Sequence, residues 1–212
     1  MSELAIRTIS GAVMILIALA AAIIGGYAFA LLAAAIATAV FYEWTRLTKE
    51  WGPAWYIAGF LYAALAALAL LWIRERADDH NGLWLLLWVF IVVWSVDIGA
   101  YFTGRAIGGP KLAPSISPGK TWAGFYGGIA AATVLGGLWV LYAKLPLVLL
   151  LLAPLFGAAA QGGDLFESWM KRRAGVKDSG RWLPGHGGVF DRVDGLLPVA
   201  ILTAVAAMAG VA

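Results

Sequence analysis

Between Arg7 and Glu43 the chain carries no charged residue, and between Lys120 and Asp164 it carries one, Lys144. Apolar runs on this scale approach or exceed the roughly 20 residues that an α-helix needs to cross a bilayer core about 30 Å thick. Of the 212 residues, 62% are hydrophobic and 13% charged. One soluble core could not hide that much apolar surface, so the bilayer has to act as solvent. The runs are continuous rather than alternating with the period of two that a membrane barrel shows, which argues for helices over strands. The expected fold is all-α, a polytopic integral membrane protein.

Breakers divide the chain into about seven transmembrane helices: Gly25-Gly26, Gly52-Pro53, Asn81-Gly82, the Gly/Pro-rich 104–119 stretch, Pro146 and a charged stretch over 171–192. The spans fall at roughly 4–24, 27–46, 54–73, 82–101, 122–143, 146–169 and 194–211. The Gly25-Gly26 turn is the tightest, because its backbone groups need partners at a membrane surface. Arg7, the following apolar run and Ala18-Leu19-Ala20 resemble a secretory signal with its cleavage site, but the spans that follow favour a retained first helix.

The distribution of cations tests this division independently. With seven spans, the N-terminus and the segments after spans two, four and six share one side. They hold Arg7; Arg46 and Lys49; Arg105, Lys111 and Lys120; and Lys171, Arg172, Arg173, Lys177, Arg181 and Arg192. That is twelve of the fifteen Lys and Arg residues. Arg74, Arg76 and Lys144 are left for the other side, the first two beside Glu75, Asp78 and Asp79. The N-terminus is therefore expected in the cytoplasm. Trp44, Trp51, Trp55 and Trp72 fall near span ends, where aromatic side chains anchor at the interface.

The densest chemistry lies between Ser168 and Asp194: six Lys or Arg, three Asp, one His and five Gly between two apolar segments. A connector needs far less charge, so the segment reads as a site for a strongly anionic ligand. Asp164 and Glu167 are three apart and share a helix face with Ser168 beside it. Asp191 and Asp194 repeat that spacing at the entrance to the last span, and Asp97 lies late in span four. Ionised groups inside spans face a polar cavity or a partner. For Glu43, three residues before Arg46, an interfacial pair with that arginine is the expectation. Carboxylates next to cations suit a phosphate substrate with Mg²⁺, which takes one or two protein carboxylates and completes its octahedron with phosphate and water. Lys and Arg neutralise the remaining phosphate oxygens. Gly185, Gly187 and Gly188 let the backbone approach an anion. His186 either donates to a phosphate or holds the turn.

Ser117-Pro118-Gly119-Lys120-Thr121 resembles the end of a P-loop, but Pro114 stands where the earlier glycine belongs and no strand precedes it. What survives is Lys120 and Thr121 at a helix N-terminus, which favours anions. With no cysteine there is no thiolate or disulfide chemistry. His80 and His186 are too few and too far apart for a zinc site. The basic loop lacks the spaced aromatic platforms of a nucleic-acid binder.

At these residues the chain resembles the phosphatidate cytidylyltransferase (CDP-diacylglycerol synthase) family. Ser168, Lys171, Arg172, Lys177, Asp178, Gly180, Leu183, Pro184, His186, Gly187, Gly188, Asp191, Arg192 and Asp194 all fall in register with that family's C-terminal motif. Gly163-Asp164-Leu165, Glu167-Ser168, Asp97 with Ala100-Tyr101, and Pro114 through Thr121 are similar to it as well. The resemblance covers about residues 97–200. It implies a reaction of CTP with phosphatidate to give CDP-diacylglycerol and pyrophosphate, with Mg²⁺ and a monovalent cation such as K⁺ beside it. It implies Asp164 and Asp191 as metal ligands, with Asp194 and Asp97 next. Lys171, Arg172, Lys177, Arg192 and Lys120 would contact phosphates, while Asp178, Ser117, Thr121 and His186-Gly187-Gly188 would shape the catalytic and nucleotide site. Residues 1–80 are then N-terminal transmembrane helices, and 81–212 a catalytic membrane region with cytoplasmic loops 102–121 and 170–193. The bacterial cytoplasmic membrane is the expected location, membrane lipid the surroundings, and a homodimer an assembly the family allows.

Two departures stand out. Ala123 replaces a Glu that often follows the family's Lys-Thr-Trp, and the chain is shorter than usual, a shortfall expected in the N-terminal spans. Two other readings compete with this one: a CTP-dependent membrane kinase of an isoprenoid alcohol, and an ion-coupled transporter. The latter would need inverted repeats with paired broken helices, which are not found. The Asp-Gly-x-x-Ala-Arg motif of enzymes that consume CDP-diacylglycerol is absent.

Overall fold

Where the chain is uninterrupted and apolar it folds as helix, because only a helix satisfies every backbone group within one lipid-exposed segment. The computed structural model describes residues 3–76 and 81–210. The helices are α1 (Glu3–Ile24), α2 (Gly26–Leu47), α3 (Pro53–Arg74), α4 (Asn81–Ile107), α5 (Trp122–Ala143), α6 (Val148–Arg173), α7 (Phe190–Val193) and α8 (Leu196–Met208). Between α4 and α5 lies an antiparallel hairpin of β1 (Lys111–Ala113) and β2 (Ser117–Thr121), pairing Lys111 with Thr121 and Ala113 with Ser117. Asp78, Asp79 and His80 lie outside the described residues.

Among the described residues, six helices, α1 to α6, are long and apolar enough to cross a membrane. The expected seventh span, 194–211, is a shorter helix, α8 with 13 residues, preceded by the single turn of α7. At about 1.5 Å per residue α8 reaches about 20 Å, short of a bilayer core. Pro198 explains the division: it has no N–H to give the carbonyl of Asp194, and its ring crowds that turn. The Asp194 carboxylate instead accepts from Gly195 N at 2.7 Å. α4 also differs, running six residues past its expected end. Gly104 does not break it, and the helix stops at Gly108 and Gly109, whose φ angles are +67° and +94°.

The tight turn after α1 has the partners it needs. Glu75 Oε1 accepts from Gly26 N at 2.8 Å, and Arg74 donates to the carbonyls of Ala22 (2.5 Å) and Ile23 (3.1 Å). One pair of charges at the end of α3 thus satisfies the backbone of the α1–α2 turn.

The closest helix pairing is α4 against α5. Gly124, Gly128, Ala132 and Gly136 recur every four residues and are buried along one face of α5. A Cβ at Gly128 would come within 2.8 Å of the Val96 carbonyl, and one at Gly124 within 2.9 Å of the Ala100 carbonyl. Small residues at this spacing let helix backbones approach where lipid offers no hydrophobic force between helices. Trp88, Leu149, Phe156 and Val199 fill the core of this half; Val40, Trp44, Met170 and Phe190 form a second cluster between α2, α6 and α7.

The cation-rich ends of the helices meet on one face. Ser10 in α1 contacts His186, Glu43 in α2 contacts Ser179, Lys120 pairs with Asp164, and Arg172 donates to the Ile116 carbonyl. At the other end Trp139 in α5 donates to the Trp84 carbonyl at the start of α4. Gly128→Leu should overpack the α4–α5 seam and cost about 1–3 kcal/mol, read as a drop of several degrees in thermal midpoint in detergent. Gly162→Ala, with nothing within 4 Å of an added Cβ, should leave that midpoint unchanged.

Candidate active site

Of the cavities at the cation-rich end, two hold most of the expected site residues. The first, about 430 Å³, lies between α4, the hairpin, the start of α5 and α6, with Asp97, Ser117, Lys120, Thr121, Gln161 and Asp164 on its wall. Asp97 comes from the late part of α4, Lys120 from β2 and Asp164 from α6, so three sequence-distant segments supply it. Lys120 Nζ is ion-paired with Asp164 Oδ2, and the Ser168 hydroxyl donates to Asp164 Oδ1 at 3.3 Å. Thr121 serves as the N-cap of α5, its hydroxyl oxygen accepting from Gly124 N at 3.1 Å. That contact orients the helix entrance, and its buried side chain is thereby already in use.

The second cavity, about 630 Å³, is lined by the loop after α6 and by α1, with Arg7, Lys177, Asp178, His186, Gly187 and Arg192 among its residues. Cations outnumber carboxylates on this wall. The loop turns back on itself through Leu183 N to the Gly187 carbonyl (3.0 Å) and His186 N to the Leu183 carbonyl (2.9 Å). Gly187 sits at φ +85°, a conformation that favours glycine. His186 Nδ1 lies 2.9 Å from the Ser10 hydroxyl, so the first helix orients the imidazole.

Asp97 and Asp164 share the wall of the first cavity, and the Asp194 carbonyl packs so closely on Gly163, next to Asp164, that a Cβ there would collide with it. Asp97, Asp164 and Asp194 therefore converge from α4, α6 and the α7–α8 break. Glu167, fully buried one turn after Asp164, has an oxygen, Oε1, with no hydrogen-bond partner. This much negative charge, with Lys120 the cation paired to Asp164, suits a hard cation that keeps phosphate and water ligands. Among the described residues no three His, Asp or Glu side chains are grouped to hold a metal ion on their own.

Several expected site residues take other positions. Lys171 is buried, ion-paired with Glu167 and 2.5 Å from Asp191 Oδ1, so its ammonium ties α6 to α7. Asp191 accepts on its other oxygen from Ser179 N (3.0 Å), Ser179 Oγ (3.0 Å) and Gly188 N (2.8 Å). Its side chain, 5% exposed, lies in the loop network and not on the wall shared by Asp97 and Asp164. Arg172 is exposed and donates to the carbonyls of Ile116 (3.1 Å) and Val176 (3.3 Å), fastening the hairpin to the loop. Glu43 does not pair with Arg46, which sits over the Tyr42 ring. Its buried carboxylate accepts from Ser179, Val189 and Phe190. A lone carboxylate in an uncharged span signals a distant partner; nothing in the sequence identifies Ser179 or Ser10.

Burial alone would raise the Asp191 carboxyl, but hydrogen bonds from Lys171 and from Gly188 N outweigh it and hold it below the ordinary carboxylate range. A depressed folded-state value contributes stability that is present above the unfolded value, about 3.9, and lost as pH falls through the folded one. Amide protection at Ser179 and Gly188, corrected for intrinsic exchange, should therefore hold from pH 7 down to about 4 and fall only in stronger acid. In Asp191→Asn it should be low at every pH.

A profile of the Cytidylyltransferase family matches residues 50–209. The chain is 41% identical to the phosphatidate cytidylyltransferase of Brucella suis biovar 1 (strain 1330), over 95% of this chain and 92% of that protein. It is 48% identical to that of Haemophilus influenzae, over 56% of this chain and 44% of the relative, and 49% identical to that of Bacillus subtilis, over 59% and 48%. The Brucella alignment runs over 256 positions against a chain of 212. That relative therefore has residues inside the matched stretch that this chain lacks, so the shortfall is not confined to a missing N-terminal segment. With the profile covering most of the chain and a relative matched nearly end to end, the chain belongs to the Cytidylyltransferase family.

Proposed function

We propose that the chain is a phosphatidate cytidylyltransferase, transferring CMP from CTP to phosphatidate to give CDP-diacylglycerol and pyrophosphate. The observation that carries this is a pair of cavities at one end of the spans. One is walled by Asp97, Asp164 and Lys120, the other by Lys177, Arg192 and His186. The first suits a metal-bound phosphate, and the second a second polyanion beside it.

In the reaction a phosphate oxygen of phosphatidate bonds to the α-phosphorus of CTP. The bond from that phosphorus to the oxygen bridging to the β-phosphorus breaks, and pyrophosphate leaves with the electron pair. The nucleophile is already an anion, so no base is required. The protein's work is to hold two repelling anions in line and to stabilise charge moving onto pyrophosphate. Asp97 and Asp164 would hold Mg²⁺, with Asp194 behind them; Asp191, its oxygens engaged by Lys171, Ser179 and Gly188, keeps the loop in place. Mg²⁺ supplies Lewis-acid polarisation and charge neutralisation, and a K⁺ ion beside it would add to the latter. With Asp164 holding an ion, Lys120 would be free to contact a phosphate oxygen. Lys177 and Arg192 neutralise the polyphosphate, and His186-Gly187-Gly188 lines its approach. The lipid phosphate reaches the site from the inner leaflet, with the cavities facing the cytoplasm of a bacterial inner membrane.

Purified protein given phosphatidate, Mg²⁺ and CTP labelled at the α-phosphorus should place label in the lipid. Label transferred from the γ-position would instead identify a kinase and overturn the assignment. Asp164→Asn should cut turnover by about 10³-fold or more while the protein stays inserted and monodisperse. The native chain has no cysteine, so a single Val176→Cys variant reports orientation. A membrane-impermeant maleimide should label it in inside-out vesicles and not in intact cells.

A further inference from the structure

The signature loop is fastened from a helix whose role no family motif assigns. We propose that Glu43 is a positioning residue: from α2 its carboxylate sets the loop conformation that presents His186, Gly187 and Gly188 to the nucleotide. The inference rests on the nucleotide-binding role given to that loop above. Glu43 lies before the stretch, 50–209, that matches the family profile.

Glu43 is fully buried. Its Oε1 accepts from Val189 N at 3.0 Å; its Oε2 accepts from Phe190 N and from Ser179 Oγ, each at 2.8 Å. Ser179, itself buried, also contacts Asp191 Oδ2 through both its N–H and its hydroxyl, each at 3.0 Å. Asp191 continues to Lys171 and Lys171 to Glu167. One polar chain thus runs from α2 through the loop to α6, with Ser179 bridging two carboxylates.

The loop leaves room for this carboxylate and for little else. A Cβ at Gly188 would lie 2.5 Å from Glu43 Oε2, and one at Gly180 would collide with Oε1. Three donors face two oxygens. Glutamine replaces one acceptor with a donor, so in either orientation an amide N–H confronts the N–H of Val189 or Phe190. Aspartate is one methylene too short. Trp44 already stacks on Phe190 at 6.0 Å, so apolar contact alone would keep α7 docked. The buried charge adds direction, setting where residues 186–189 stand relative to the second cavity. A buried acceptor that leaves its donors unmatched is costly, which makes the loop conformation stringent.

The test compares wild type, Glu43→Gln and Ser179→Ala in detergent. Steady-state kinetics with CTP and phosphatidate are read beside trypsin cleavage after Arg181, an exposed native site in this loop. Glu43→Gln should raise KM for CTP about tenfold or more, with a smaller change in kcat and in KM for phosphatidate. Cleavage should speed up severalfold, and saturating CTP should return it toward the wild-type rate. Ser179→Ala, which keeps the contacts to Val189 and Phe190, should move both readouts the same way by less, and it decides the matter if Glu43→Gln does not fold. Unchanged KM for CTP in the folded variants overturns the proposal, as does a loss spread equally over both substrates. If wild type transfers no CMP, the functional reading fails by itself. The positioning claim is then judged by cleavage and by CTP protection against it, and a cleavage rate equal to wild type overturns it.

Discussion

A single buried ammonium organises the cation-rich end of this bundle. Lys171 stands in the last turn of α6 between Glu167 on its own helix and Asp191 on α7. Burying charges is costly unless they are paired and their remaining lone pairs are met. Asp191 meets that condition through Ser179 and Gly188, so its loop has to close over it. The long polar segment between α6 and α8 therefore folds back onto the bundle instead of trailing in solvent. The second cavity takes most of its wall from that folded loop.

The bundle supplies the rigid half of the arrangement. Small residues bring α4 and α5 close enough that Asp97 and the hairpin bearing Lys120 face one space, and Asp164 enters it from α6. The three carboxylates Asp97, Asp164 and Asp194 converge at the cation-rich end of the bundle. There their mutual repulsion is less screened than in bulk solvent. Such a site is stable only with cations supplied by the chain or by its ligands, which couples occupancy to local order.

Much of the fold was legible because the solvent is the bilayer. Five of the apolar runs became helices within a few residues of their expected limits, α1, α2, α3, α5 and α6. The last run is shorter than expected because apolar composition hides a proline's effect: Pro198 leaves the Asp194 carbonyl without its helix partner, and α8 begins only at Leu196. Of the site, Asp97, Asp164, Lys120, Lys177, His186 and Arg192 stand where a polyanion could meet them. Spacing identifies a helix face but not which of many neighbouring cations turns inward, so Lys171 was expected on phosphate and lies buried instead. Thr121 looked like an anion contact and is a helix cap, since a hydroxyl at that position serves either use. Glu43 was read through its near neighbour Arg46, when its partners are 136 to 147 residues away.

The shortness of α8 has a further effect on the surrounding lipid. A helix reaching about 20 Å beside neighbours of 22 to 27 residues creates a hydrophobic mismatch on one flank of the bundle. Lipid next to such a helix adapts by local thinning, at a modest cost per ångström. The break at Asp194 and Gly195 puts the start of this short helix beside Gly163 and Asp164. Lipid thinned on that flank would bring headgroups deeper, and a phosphate still attached to its acyl chains would have less distance to climb.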